Sequence, residues 1–195
     1  MEMNKKLPIL FTLLLLSISA IADDFKDGKE AYEREDYTAA ISFFKKSAEQ
    51  GNAYAQYSLG QMYRQGLGVT QDYKQAVSWY QKAAEQGNAY AQVNVGMMYD
   101  QGLGVTQDYK QAVSWYQKAA EQGSTQAQYN LGMMYGNGRG VTKDYVEAYK
   151  WHSIAYASGE KLPKDIRDSI VELMTPSQVG SARILVWKWM EKHQQ

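Results

Sequence analysis

Residues Asn52–Gly87 read NAYAQYSLGQMYRQGLGVTQDYKQAVSWYQKAAEQG, and Asn88–Gly123 read NAYAQVNVGMMYDQGLGVTQDYKQAVSWYQKAAEQG. These two stretches of 36 residues differ at only five positions, and Ser124–Gly159 is a third, more diverged copy of the same length. Fifteen positions agree in all three: in the first copy they are Ala55, Gln56, Gly60, Met62, Tyr63, Gly66, Gly68, Val69, Thr70, Asp72, Tyr73, Ala76, Trp79, Ala83 and Gly87. A period of this length marks a repeat architecture, in which each copy is one supersecondary unit that buries its apolar faces against its neighbours.

The shared positions spell two helices and a turn. Ala55, Leu59, Met62 and Tyr63 fall at i, i+4, i+7 and i+8, one face of a helix. Gly60 carries no side chain, so a neighbouring helix can approach there, and Gly66 and Gly68 end the helix with positive φ. Asp72 caps the second helix, with Gln75 three residues on as a capping-box partner. Tyr73, Ala76, Val77, Tyr80, Ala83 and Ala84 form its buried stripe, and Gly87 stops it. The predicted fold is all-α: an α-solenoid, a right-handed superhelix of antiparallel helix pairs.

The pattern Ala55-Gln56-x-x-Leu59-Gly60-x-x-Tyr63, then Gly66-x-Gly68-Val69, then Asp72-Tyr73-x-x-Ala76-x-x-Trp79 with Ala83-Ala84 and Gly87, resembles the Sel1-like repeat family, relatives of the tetratricopeptide repeat. It recurs in register over residues 52–159. The resemblance implies a TPR-like bacterial scaffold in which first helices line the concave side. It also implies the roles of bacterial Sel1-like proteins, in envelope assembly, in regulation of cell-wall enzymes or in contacts with host proteins.

The flanks extend the repeat. In residues 23–51, Asp36-Tyr37-x-x-Ala40-x-x-Phe43-Phe44-x-x-x-Ala48-Glu49-Gln50-Gly51 matches the second helix, while a turn about five residues shorter makes this first pair look TPR-like. After Gly159 the signature stops. In residues 160–195, Ile166, Ile170, Leu173 and Met174 form an apolar face, and Thr175-Pro176-Ser177-Gln178 reads as N-cap, N1 proline and capping box. The next helix buries Val179, Ala182, Val186 and Trp189 or Met190, a C-terminal cap for the stack.

Residues 1–22 carry the pattern of a secretory signal peptide: Lys5 and Lys6, a Leu-rich stretch from Leu7 to Ile18, and Ala20-Ile21-Ala22 as a small-x-small cleavage site. The apolar run is shorter than the ~20 residues of a membrane span. With no cysteine to carry a lipid anchor, the expectation is cleavage after Ala22, a periplasmic or secreted protein, and no stable membrane insertion thereafter.

Charge and composition narrow the chemistry. Lys plus Arg and Asp plus Glu are both 21, which leaves no surplus charge to grip nucleic acid. Without cysteine there are no disulfides or thiolate sites. His152 stands where the other copies carry Tyr80 and Tyr116, so it reads as a packed aromatic substitute, and His193 reads as part of a frayed tail. Neither has a metal-spaced partner, so no metal, cofactor or catalytic residue is expected. The S-x-x-K match at Ser42 to Lys45 lacks its companion motifs; it leaves a cell-wall enzyme or penicillin-binding protein as the alternative function, beside a self-assembling structural subunit.

The five differences act as an internal experiment. They are Tyr57/Val93, Ser58/Asn94, Leu59/Val95, Gln61/Met97 and Arg64/Asp100, all on the first helix, while Gln65–Gly87 and Gln101–Gly123 are identical. Positions 57, 58, 61 and 64 share a helical face away from the packing stripe. The expected protein-binding surface is therefore Tyr54, Tyr57, Ser58, Gln61 and Arg64 in the first copy, Tyr90, Asn94, Met97 and Asp100 in the second, and Tyr129 and Met133 in the third. Aromatics with varied polar groups suit an interface, and the Arg64/Asp100 swap alters its charge. Neutral drift of a solvated face is the competing explanation, but the solvated face of the second helix (Lys74, Gln75, Lys82, Glu85) did not drift. The expected partner is a protein or peptide; the sequence is silent on its identity and on oligomeric state.

Overall fold

A computed structural model describes residues 24–159 and 164–193. The export signal read at residues 1–22 lies outside them. Ten helices and no strand appear among the described residues: α1 (24–33), α2 (Tyr37–Glu49), α3 (Ala53–Gln65), α4 (Tyr73–Glu85), α5 (Ala89–Gln101), α6 (Tyr109–Glu121), α7 (Thr125–Asn137), α8 (Tyr145–Ala157), α9 (Lys164–Glu172) and α10 (Pro176–His193). The chain divides into two compact units between Asn88 and Ala89. This is the all-α tandem of helix pairs read from the repeat.

The boundaries follow the cap residues. Asp72 accepts from the backbone N–H of Lys74 and Gln75, and Asp108 and Asp144 do the same one and two copies later. The capping box with Gln75 does not close. The N–H of Asp72 donates instead to the carbonyl of Tyr63 at 2.9 Å, tying the turn back to its first helix, and Asp108 and Asp144 repeat the bond to Tyr99 and Tyr135. The box at Thr175 does close: its N–H donates to Gln178 Oε1 at 2.8 Å and its hydroxyl accepts from the Gln178 N–H. At the other end of α3, Gly66 adopts φ +73° and returns its N–H to Met62.

Within each pair a glycine meets an aromatic ring. A Cβ on Gly60 would stand 2.5 Å from the Tyr80 ring, on Gly96 2.6 Å from Tyr116, and on Gly132 2.8 Å from His152. The first pair uses the same lock, Gly28 against Phe44. There the residues are 28 and 44 against 60 and 80 in the next pair, so the first turn is four residues shorter. In the short turn Glu35 takes a positive φ of 61°, which nothing in its sequence announces.

Between pairs the structure uses a buried amide. Gln56 donates to the carbonyl of Ala48 in the preceding pair at 3.1 Å, and accepts from Gln86 at 2.7 Å. Gln92 accepts in the same way from Gln122, and Gln128 donates to Ala120. In the third copy Ser158 replaces the outer glutamine, and the Gln128 Oε1 is buried without a hydrogen-bond partner. Open space beside Ser158, bordered by Gln122 and Trp189, admits a longer side chain. Ser158→Gln is thus expected to raise stability by ~1 kcal/mol and the melting temperature by about 2–4 °C, as read by thermal denaturation. An unchanged or lower midpoint would contradict this reading of the amide.

The C-terminal helices close the second unit. Trp79 and Trp115 are half-buried, but their counterpart Trp151 is 1% exposed, because Trp189 of α10 meets it edge to face at 6.3 Å. Ala182 and Ile170 are buried as the stripes predicted; Leu173, placed on the same apolar face, is 59% exposed at the end of α9. His193 is not frayed. It ends α10 with its ring stacked on Trp189 at 3.9 Å and Nδ1 2.7 Å from the Trp189 carbonyl. No helix among the described residues is long and apolar enough to cross a membrane.

Candidate protein-binding surface

In the first unit, Tyr54 stands at 61% exposure on α3, its ring 6.2 Å from Phe25. The other predicted positions on α3 are half-buried. The Tyr57 ring lies 5.9 Å from Tyr80 and its hydroxyl accepts from Gln61, while Ser58 donates to the Tyr54 carbonyl. Arg64 reaches across to Tyr80: its charge opposes the strong upward push that burial gives the Tyr80 hydroxyl, without a well-formed hydrogen bond between them. The guanidinium Nε is buried and has no acceptor.

In the second unit, Tyr90 is 67% exposed at the start of α5, and Asn94 donates to its carbonyl. Val93 packs against the core, and Met97 and Asp100 are half-buried. On α7, Tyr129 meets the His152 ring edge-on at 5.4 Å and Met133 is exposed. Asp100, Tyr129 and Met133 come together around a cavity of about 190 Å³ whose floor includes Tyr116. The chosen residues thus differ in environment. Tyr54 and Tyr90 are open to solvent; Tyr57 and Tyr129 pack on the aromatic of their own second helix; position 64/100 sets a charge against the hydroxyl of Tyr80 or Tyr116.

The second helices offer a contrasting surface. Lys74, Gln75, Lys82 and Glu85 on α4 are exposed, as are Lys110, Gln111, Lys118 and Glu121 on α6. Lys82 and Lys118 each lie over a tryptophan of their own helix, at 4.0 and 3.9 Å from the ring centroids of Trp79 and Trp115.

The residues with possible chemistry are placed as follows. His152 fills the tyrosine slot, 1% exposed, with burial pushing its pKa down to about 4. Ser42 and Lys45 are exposed on α2, whereas Phe44 between them is core. Among the described residues, no three His, Asp or Glu side chains are arranged to hold a metal ion. Sequence reasoning did not single out Gln56, Tyr116 or Arg139. Gln56 is shared by all three copies, a signal that was available, whereas the joining of Asp100 to Tyr116 is a tertiary contact.

Comparison with known proteins agrees with this geometry. The family pattern described as Sel1 repeat matches residues 25–52, 53–88, 89–124 and 125–160. No curated protein matches the chain. Among solved structures, a Sel1 repeat protein from Oxalobacter formigenes is similar with a TM-score of 0.67 and 38% identity, over 70% of this chain and 56% of that one. A protective antigen present in uropathogenic Escherichia coli strains, displaying an SLR fold, gives 0.48 and 30% over 89% and 46%. Cysteine rich protein B of Helicobacter pylori gives 0.51 and 23% over 71% and 95%, a likeness of fold. The chain therefore spans about half the length of the first two.

Proposed function

Since the chain belongs to the Sel1 repeat family, we propose that it is an exported scaffold that holds a protein or peptide on its first-helix faces. Sel1 repeat proteins are generally protein-interaction scaffolds. Export is supported by the signal-like pattern of residues 1–22.

The observation that carries the surface assignment is the distribution of change between two near-identical copies. All five differences lie on α3 and α5; position 59/95 is core and position 57/93 packs on its edge, while 58/94, 61/97 and 64/100 are half-buried positions outside the core cluster. The exposed faces of α4 and α6 tolerate substitution at little stability cost, yet they are identical. Drift alone would have reached both faces. Selection for distinct contacts accounts for change on one.

The structure refines the test. Tyr57 braces Tyr80, so it is replaced by the valine of the second copy, and Arg64 by that copy's aspartate. The variant Tyr54→Ala, Tyr57→Val, Arg64→Asp, Tyr90→Ala is expected to keep its helicity and melting point. It is also expected to lose roughly a hundredfold or more in affinity for a partner identified by crosslinked pull-down, since Tyr and Arg anchors commonly dominate binding. Unchanged affinity in the folded variant rejects the assignment.

A further inference from the structure

Asp100 is the one carboxylate at its repeat position: the first copy has Arg64 there and the third Gly136. It lies near the end of α5, and its Oδ1 is buried without a hydrogen-bond partner. It makes no ion pair among the described residues. The cavity of about 190 Å³ at this carboxylate is walled by Tyr116 of α6 and by Tyr129, Asn130 and Met133 of α7. Its charge is felt inside: after burial itself, Asp100 is the main cause of the upward push on the Tyr116 hydroxyl, which the Asn130 amide opposes.

A cation is available at the rim but is engaged elsewhere. Arg139 borders the cavity, yet its guanidinium lies over the ring of Tyr109, 5.7 Å from the centroid. The chain therefore sets a half-buried carboxylate, one oxygen of it buried and unpartnered, beside aromatic and thioether surfaces with no cation paired to it. A buried polar atom without a partner is costly, and a ligand that donates to it is one way to satisfy it.

We infer that this cavity is a pocket for one lysine or arginine side chain of a bound peptide. The inference rests on the scaffold reading above and names the chemistry of the partner at that surface. The aliphatic stem of a basic side chain packs on Tyr129 and Met133, and its head meets the carboxylate between aromatic faces. The volume corresponds to about six water molecules, the room one long side chain requires. A metal ion is a poor occupant, since one carboxylate amid apolar walls supplies too few hard ligands. An anionic side chain would place like charges together.

The test is selection of a random displayed-peptide library on the full chain and on two variants. Asp100→Asn preserves shape, and Asp100→Arg installs the residue the first copy carries at this position. Wild type is expected to enrich peptides sharing a Lys or Arg at one fixed position. Resynthesised, such a peptide should bind at least tenfold more weakly to Asp100→Asn, and more weakly to wild type when its basic residue is replaced by norleucine or citrulline. Asp100→Arg should enrich acidic residues instead. Asp100→Asn should melt no lower than wild type, which a merely structural role for the carboxylate would not allow. Enriched peptides indifferent to Asp100→Asn overturn this inference and leave the scaffold reading standing. Failure of any peptide to bind, together with unchanged partner affinity in the first-helix variant, overturns both.

Discussion

Replacing His152 with tyrosine, the residue of the other two copies, is expected to make the second unit less sensitive to acid. Folded, His152 is buried against Gly132 and Tyr129, its Nδ1 has no hydrogen-bond partner, and burial holds its pKa at about 4. Unfolded, an ordinary histidine titrates near 6.5. Above pH 6.5 both forms are neutral and the residue contributes no pH dependence. As pH falls from 6.5 towards 4, the unfolded chain takes up a proton that the folded chain refuses, so stability is lost through that window. The full penalty is about 3 kcal/mol, at ~1.4 kcal/mol per pH unit. The carboxylates titrate in wild type and variant alike, so the difference between the two isolates the histidine. The space beyond His152, bordered by Gly136 and Asn137, admits the longer ring. Denaturant titrations at pH 7 and pH 4 should show the gap between variant and wild type widening by that amount. A gap independent of pH would mean that His152 takes up its proton as readily in the fold as in the unfolded chain.

A large loss from a single methyl group is expected at Gly140. This residue holds φ +72° in the turn between α7 and α8, and a Cβ there would stand 2.8 Å from the backbone N of Lys110 and closer still to the carbonyl of Tyr109. Both belong to the start of α6 in the preceding repeat, and backbone cannot step aside as a flexible side chain can. Gly140→Ala therefore combines left-handed strain of ~1–2 kcal/mol with overpacking of ~1–3 kcal/mol. Gly123 provides the comparison: it has φ +86° and no atom within 4 Å of its would-be Cβ. Gly123→Ala carries the strain alone. Equilibrium unfolding should thus find Gly140→Ala roughly 2 kcal/mol worse than Gly123→Ala. It should also find a less cooperative transition, because an interface between neighbouring repeats has been pried open. Equal losses would show that the turn of one repeat does not bear on the helix of the one before.

The repeat was legible because its signals are local. Asp72, Gly66 and the Thr175-Gln178 box act within a few residues of themselves, and the stripes of α3 and α4 follow helical spacing. Gly60 was legible by elimination, as a residue without a side chain in the middle of a helix. The bonds that join one pair to the next were not. Gln56 links Ala48, eight residues before it, to Gln86, thirty residues after it; its presence in all copies marks the position, but not the partners that bury it. The unclosed box at Gln75 has the same origin: the N–H it would have met was already taken by a carbonyl across the turn. Trp151 lost its solvent to a helix outside the repeat pattern. The site residues were partly legible. Comparing copies finds which positions changed, but only tertiary placement separates open Tyr54 and Tyr90 from Tyr57, which braces a neighbour, and from Asp100, which faces a cavity.

The central claim is that the first-helix faces, and not the second, hold the partner. The direct measurement is a side-by-side affinity titration of wild type, the first-helix variant, and a second-helix control carrying Lys74→Glu, Gln75→Ala and Glu85→Lys on the exposed face of α4. All three should share one melting point. The control should bind as wild type does, while the first-helix variant should fall by about two orders of magnitude, the loss of several interface anchors together. Loss of binding in the control, with the first-helix variant unaffected, would place the partner on the opposite face and contradict the account.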